Sequence, residues 1–435
     1  MHTKSASIPI APISAWAPAV RRWYSESGNP RAGAPNEVWL LSTPLFTPKF
    51  YGTPARPQPR PIPFCQLQGL AGQTWKLAGG GGCWVVGAVE VAGEVEMVDH
   101  GAMELSHAAL VERARELADN HLFPAAIEVD RAGVVPAAQL DLLADAGLYS
   151  VFSPKHCGGL EADWATILDL LEIIAGGCLT TAFVWTQHSG AARSAANTDG
   201  PMRDQWARRL ATGEARGGVA FAHLLRPGTP LIQATPSDGG WEFTGTAPFV
   251  SGWGHINVVS TAARHGDDIV WALLDATDSA TLISQRLELA SVDSTVTVEL
   301  AFDRHFVSQA QVTSVERFSD WYANYRTGLR TNGSLALGVA ARALRLLGSS
   351  QLDVEFAAAR SLLDTSEFDD MPAARANMTA LAVKSTSALV ASIGGSAMMA
   401  GHQAQRLARE ALFLLVQGQT PEIKKRHVEL LTGIG

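Results

Sequence analysis

Val296-Thr297-Val298-Glu299-Leu300-Ala301-Phe302 sets an apolar side chain at every second position. That alternation is the signature of a strand with one face in a core. Working outward, Trp241-Glu242-Phe243-Thr244, Ile256–Ala262 and Ile269–Leu274 read as further strands, and Asp238-Gly239-Gly240 supplies a hairpin turn. Period two holds from Gly217 to about Ser314, and helical spacing replaces it on both sides. Before it, a helix capped by Ser106 carries Ala109, Leu110, Ala114, Leu117 and Leu122. Further helices are expected over Val135–Ala146, Trp164–Ala175, Ala182–Ala196 and Met202–Ala211. After it, they are expected near Thr331–Leu347, Asp353–Leu363, Met371–Ile393, His402–Gln417 and Pro421–Leu431. Short loops between helices of this length favour antiparallel neighbours in a bundle. The expected class is α+β: a helical domain over 103–216, a middle antiparallel β domain over 217–315 and a C-terminal helical bundle over 316–435.

Residues 1–102 have a different composition. Twelve of the 22 prolines lie between Pro9 and Pro63, and proline at alternate positions favours extended chain over helix. Gly79-Gly80-Gly81-Gly82 follows, with no Gly-Lys-Ser/Thr to make a phosphate loop. This Pro/Gly-rich extension is expected to be disordered, and a true start near Met97 or Met103 is an alternative. A net charge of -8 argues against nucleic acid or anionic lipid as the main partner. Widely spaced Cys65, Cys83, Cys157 and Cys178 read as reduced thiols of a cytoplasmic protein. No apolar run reaches the length of a membrane span. His188, His223 and His402 lack metal-ligand spacing, so no metal is expected.

From about Glu104 to Leu431, an ordered series of short stretches resembles the acyl-CoA dehydrogenase family. Gly147-Leu148 through Pro154 to Gly158-Gly159 resembles its "GL…P…GG" segment, and Leu210-Ala211-Thr212-Gly213 its "L..G" run. Gly240-Trp241-Glu242-Phe243-Thr244-Gly245 followed by Phe249-Val250-Ser251 resembles the family's middle-domain strand. Gly394-Gly395 and Arg406–Thr420 resemble the "GG…R…R(D/E)…GT" end of the bundle. The resemblance implies FAD between the β domain and the bundle, its ADP half reaching a neighbouring subunit of a homo-oligomer. Phe249 and Ser251 would then lie near the isoalloxazine, and Gly394 and Gly395 near the ADP moiety. An ordinary strand face and a helix C-cap are the purely structural alternatives.

The resemblance also implies an acyl thioester substrate and an electron acceptor such as an electron-transfer flavoprotein. Dehydrogenating a thioester needs a base for the α-proton while the β-hydrogen leaves as hydride. The family's "E-G-T" carboxylate corresponds to Gln417, and the alternative base position to Gly328. A glutamine amide takes up no proton near neutral pH. Gly418 is suited to close one helix, and Thr420-Pro421 to open the next. Arg326 and Arg330 are candidate anchors for an anionic substrate group, the alternative being a solvated helix face. The family's "TE" pair becomes Ala222 and His223, its lysine becomes Ala247, and no "R..FG" element is found between Leu346 and Asp364. The expected function is an FAD-dependent oxidoreductase acting on the CH-CH group of an acyl thioester with an altered base. A flavin-dependent monooxygenase or oxidase on the same scaffold, or a non-catalytic subunit, are the alternatives.

Overall fold

The computed structural model describes residues 107–433. The Pro/Gly-rich extension and the Ser106 cap lie outside the described residues. Helix α1 (His107–Leu117) runs through a single π-helical segment, Ala118–Leu122, into α2 (Phe123–Arg131). Then come α3 (Ala137–Asp145), α4 (Trp164–Gly177), α5 (Leu179–Asn197) and α6 (Pro201–Thr212). Helix α3 is shorter than its expected span because Pro136, extended at ψ 133°, forms its N-cap. The Asp163 side chain caps α4 by accepting from the Thr166 N–H at 2.7 Å.

Eight strands follow: β1 (Gly217–Ala220), β2 (Ile232–Ser237), β3 (Gly240–Val250), β4 (Val258–His265), β5 (Asp268–Asp275), β6 (Leu282–Arg286), β7 (Val298–Ser308) and β8 (Val312–Arg317). The sheet order is β6-β7-β3-β2-β4-β5-β8, with β1 paired to β4. Pairings are antiparallel except β1–β4 and β2–β4. The β2–β3 hairpin intervenes between β1 and β4, and that long connection lets them run parallel. In β7, Val298, Leu300 and Phe302 are buried as the alternation requires. Val296 is not part of the strand. It closes a 3-10 turn at φ 46°, and its carbonyl accepts from the Trp253 N–H, which ends the ladder there.

The bundle comprises α7 (Phe318–Thr327), α8 (Leu329–Leu347), α9 (Leu352–Thr365), α10 (Met371–Ile393), α11 (Gln403–Val416) and α12 (Pro421–Thr432). The N-terminal helices and the bundle share one core, containing Leu122, Leu170, Val339, Met378 and Leu407. The sheet has its own, around Phe243, Val259, Leu274 and Leu300. No helix among the described residues is long and apolar enough to cross a membrane.

Two contacts lock these layers. Helices α4 and α8 cross at Gly176 and Gly338, where a Cβ on Gly338 would lie 2.2 Å from the Glu172 carbonyl oxygen and 2.8 Å from the Gly176 nitrogen. His188 ties α5 to β1 and α6: its Nδ1 accepts from the Gly217 N–H at 3.1 Å, and its Nε2 lies 3.0 Å from the Leu210 carbonyl. An N–H only donates and a carbonyl only accepts, so the hydrogen is on Nε2 and the ring is neutral. Burial holds its pKa down at about 3.

Gly338→Ala should lower the unfolding free energy by about 1–3 kcal/mol, because the obstructing atoms are backbone. An unchanged melting temperature would mean that the two helices can part freely. His188 binds protons more weakly folded than unfolded, where its pKa is about 6.5. Its contribution is therefore present above that value and lost as pH falls towards about 3. A His188→Gln variant should show a flatter decline of melting temperature between pH 6.5 and 4 than the unsubstituted chain.

Candidate active site

The junction between α11 and α12 gathers polar groups from four helices. Gln417 leaves the helix at φ -70°, ψ 126°, while its N–H still bonds the Phe413 carbonyl. Gly418 turns left-handed at φ 59°, and a Cβ there would meet Asn332 Nδ2 at 2.7 Å and Tyr325 Oη at 3.2 Å. Glycine is needed on both counts. Tyr325 donates to the Gly418 carbonyl at 3.3 Å, and Thr420 caps α12 by accepting from the Ile423 N–H. Inside this turn the Gln417 amide is held at both ends. Its Oε1 accepts from Arg375 Nη2 at 3.4 Å, and its Nε2 donates to Asn332 Oδ1 at 3.2 Å.

Arg375, in the first turns of α10, is only 1% exposed. Its Nη2 also reaches the carbonyls of Leu414 (3.3 Å) and Gln417 (3.5 Å), while Nε and Nη1 have no partner. Burial lowers its pKa to about 10, and desolvation raises that of Tyr325 to about 12. His427 of α12 is buried, with its pKa brought down to about 4 by burial and then by the Arg375 charge. At neutral pH this cluster therefore holds one cation and several neutral hydrogen-bonding groups.

The sheet contributes a second set of groups. Phe249 lies at a register shift of the β3–β7 ladder, with φ 64° and half its surface exposed. A left-handed phenylalanine is strained, and such strain concentrates at functional sites. The Arg226 guanidinium stands 5.6 Å from its ring centroid. Ser251 is buried, its Oγ 2.7 Å from Thr297 Oγ1, which is itself 2.7 Å from Thr295 Oγ1. Phe221, just beyond β1, packs edge-on against Tyr325 at 6.0 Å and so connects the sheet to the Gln417 junction.

The remaining sequence candidates lie elsewhere. Arg330 is buried and commits Nε and Nη2 to Asp364 (2.9 and 2.7 Å) and Nη1 to Ser334 (2.8 Å). Arg326 stacks 4.1 Å over Phe368 and lies 3.7 Å from Asp369. Gly394 ends α10 at φ 78°, and both it and Gly395 face open space.

Residues 104–214 match the family described as acyl-CoA dehydrogenase, N-terminal domain. Human mitochondrial short-chain specific acyl-CoA dehydrogenase is 32% identical over 79 residues, 18% of this chain and 19% of that protein. The cyclohex-1-ene-1-carbonyl-CoA dehydrogenase of Syntrophus aciditrophicus is 39% identical over 75 residues, 17% and 18% of the two chains. The structure of butyryl-CoA dehydrogenase from Megasphaera elsdenii matches with TM-score 0.64 at 16% identity, covering 75% of this chain and 98% of that one. Residues 104–214 of this chain thus match that family's N-terminal domain, and the chain shares the fold of its solved structures. Its N-terminal helical, middle sheet and C-terminal helical layout is that of the family's solved structures. The matched segments span only 18–19% of the length of these curated relatives.

The residues present are compatible with a flavin in two respects. Phe249 offers an exposed flat ring, and Arg375 holds unpartnered buried donors at the Gln417 junction. The Ser251 hydroxyl, by contrast, is enclosed with Thr297. Arg375, Asn332, Tyr325 and His427 were not singled out from the sequence. The signal for Arg375 was a lone charge within an otherwise uncharged run, Met371–Leu381.

Replacing Gln417 by glutamate would place a carboxylate beside the Arg375 guanidinium, which favours the ionised form and lowers its pKa below about 4.3. Asn332 can turn its amide to donate. A lowered folded pKa adds stability above the unfolded value and loses it as pH falls through the folded one. Gln417→Glu should therefore melt higher than the unsubstituted chain at pH 7, with the advantage gone by about pH 3. The same melting temperature at pH 7 would show that the guanidinium does not act on this position.

Proposed function

We propose that this chain is an FAD-dependent oxidoreductase acting on the CH-CH bond of an acyl thioester, with an amide where the proton-accepting carboxylate is expected. The match of residues 104–214 to the acyl-CoA dehydrogenase N-terminal domain supports the flavoprotein and thioester parts. The altered base rests on one observation, the Gln417 amide fixed between Arg375 and Asn332. FAD, when bound, supplies the hydride acceptor. Phe249 would present its ring to the flavin, and Gly394 and Gly395 would admit its ADP half. Arg375 could neutralise negative charge developing on the thioester. Gln417 can orient a substrate by hydrogen bonding but cannot carry the α-proton away. Arg326 and Arg330 stand as candidate anchors for an anionic substrate group, although their present partners are Asp369 and Asp364. An electron-transfer flavoprotein would take the electrons onward. Exposed Met398, Met399, Leu412 and Val416 support a homo-oligomer that covers them.

The neutral amide also favours a second reading, a flavin-dependent monooxygenase or oxidase, because reaction of reduced flavin with oxygen needs no α-proton base. A non-catalytic subunit is the third. Purified protein should show flavin absorbance, and acyl-CoA thioesters should bleach it slowly under anaerobic conditions. Gln417→Glu should raise that bleaching rate by about 100-fold, the lower end of a general base's contribution, because Arg375 weakens the new base. Rapid oxygen uptake by the reduced protein without thioester-dependent bleaching would favour the second reading. Colourless protein that takes up no FAD would sink both.

A further inference from the structure

A proton leaves carbon only when something accepts it, and the Gln417 junction is poor in acceptors. The amide itself takes up no proton. His427 is buried, and the Arg375 charge adds to burial in opposing its protonation. Tyr325 is held in its neutral form by desolvation. The two carboxylates that flank Gln417 in the chain are engaged elsewhere. Glu410, two turns earlier on α11, is buried against Arg406. Glu422, in the first turn of α12, is exposed, with Thr420, Arg326 and Tyr322 as its neighbours.

The same junction has unused capacity for an anion. Arg375 is 1% exposed, its Nη2 reaches only carbonyl and amide oxygens, and its Nε and Nη1 have no partner. Other buried arginines of this chain are met by an acid: Arg330 by Asp364, Arg342 by Asp119 and Arg406 by Glu410. Gln417 Nε2 carries two hydrogens, and Asn332 Oδ1 takes one of them. One turn earlier, Phe413 packs edge-on against Phe183 of α5 at 5.0 Å, and both rings are partly exposed. Donors, a buried positive charge and apolar surface therefore meet where a proton acceptor is missing.

We propose that the substrate itself brings the missing carboxylate: resting on the oxidoreductase reading above, the chain oxidises a 2-carboxyacyl thioester, a malonyl-type ester with an alkyl group on its α-carbon, with loss of carbon dioxide. The bond between the α-carbon and the carboxylate breaks, and its electron pair passes into the thioester as an enolate. The β-hydrogen then departs as hydride to the flavin, which gains two electrons, and the thioester is left α,β-unsaturated. No proton is taken from carbon, so no base is required. Arg375 and Gln417 would offset the carboxylate charge before the bond breaks. The same field would hold that charge as it moves to the carbonyl oxygen. A glutamate at position 417 would repel such a substrate, whereas glutamine can donate to it.

Thioethers test the substrate class apart from the reaction, because without a carbonyl they form no enolate. S-(2-carboxybutyl)-coenzyme A should bind the full-length protein about tenfold more tightly than S-butyl-coenzyme A. Arg375→Met should abolish this preference. Gln417→Glu, which keeps the measurement decisive should the arginine variant fail to fold, should reverse it by setting like charges together. In anaerobic single turnovers, ethylmalonyl-coenzyme A should bleach the flavin roughly tenfold or more faster than butyryl-coenzyme A, since only the latter needs the absent base. Carbon dioxide and the enoyl thioester should appear in amounts equal to the flavin reduced, and Gln417→Glu should invert the order of the two substrates. Butyryl-coenzyme A reacting as fast, bleaching without carbon dioxide, or a carboxylate preference untouched by both variants would overturn the proposal. Equal binding of the two thioethers by flavin-loaded protein overturns the substrate class and leaves the oxidoreductase reading intact. Protein that takes up no FAD removes that reading and the decarboxylating reaction with it.

Discussion

Arg375 is a guanidinium taken almost completely out of water, with no carboxylate against it among the described residues. Such a charge is expensive to bury unless fixed dipoles replace its hydration. The replacement here is the end of α11: the carbonyls of Leu414 and Gln417, together with the Gln417 amide oxygen. The last carbonyls of a helix carry partial negative charge and lack helical partners, so a cation at that point answers two needs. The contact pins the first turns of α10 to the last turn of α11 and fixes where the chain turns at Gly418. From there Tyr325, bonded to the Gly418 carbonyl, meets Phe221 beyond β1 and Trp321 in its own helix. The sheet and the bundle are therefore positioned about one buried cation and the loop that solvates it.

The other arginines show what ordinary compensation looks like in this chain. Asp119 in the π-helical segment takes Arg342 and Arg345 of α8, Asp130 of α2 takes Arg409 of α11, and Glu172 of α4 takes Arg360 of α9. Each tie joins an N-terminal helix to the bundle across their shared core. Several of these groups are partly exposed, so each pair contributes modestly and their main effect is on geometry. Arg406 and Glu410 are the buried exception. Burial drives the carboxyl pKa up, the adjacent guanidinium pulls it down, and the first effect prevails.

The fold was legible because it depends on periodicity. Val298, Leu300 and Phe302 alternate in sequence and are buried in the strand, and Met371–Ile393 forms a helix over the span its pattern indicated. Errors arose where backbone geometry overrode pattern. Val296 continues the alternation, yet its carbonyl is used by the Trp253 turn, and a positive φ ends the strand. The site was less legible. The turn at Gln417, Gly418 and Thr420 could be read from local helix-ending and helix-capping chemistry. Its partners Arg375, Asn332 and His427 are brought there by helix packing, and no spacing rule connects positions 42 or 85 residues apart. Arg330 illustrates the reverse problem. An arginine near a suspected site looks available in sequence, but in three dimensions Asp364 and Ser334 occupy its donors.

The amide at Gln417 also changes what the junction can do. A carboxylate there would pair with Arg375 and leave a site with little net charge, able to accept a proton. With glutamine, the positive charge is offset only by dipoles, and two of its nitrogens retain unused donors. Tyr325 resists ionisation and His427 resists protonation, so neither neighbour supplies a counter-charge or a base near neutral pH. The local field therefore favours negative charge on whatever occupies the space. A thioester losing its α-proton develops such charge on the carbonyl oxygen, and the junction is suited to stabilise it. What the junction lacks is a group to receive the proton. Stabilisation of charge and acceptance of a proton are separable functions of an enolising site; under the proposed function this chain would keep groups suited to the first and carry Gln417 where the second is expected.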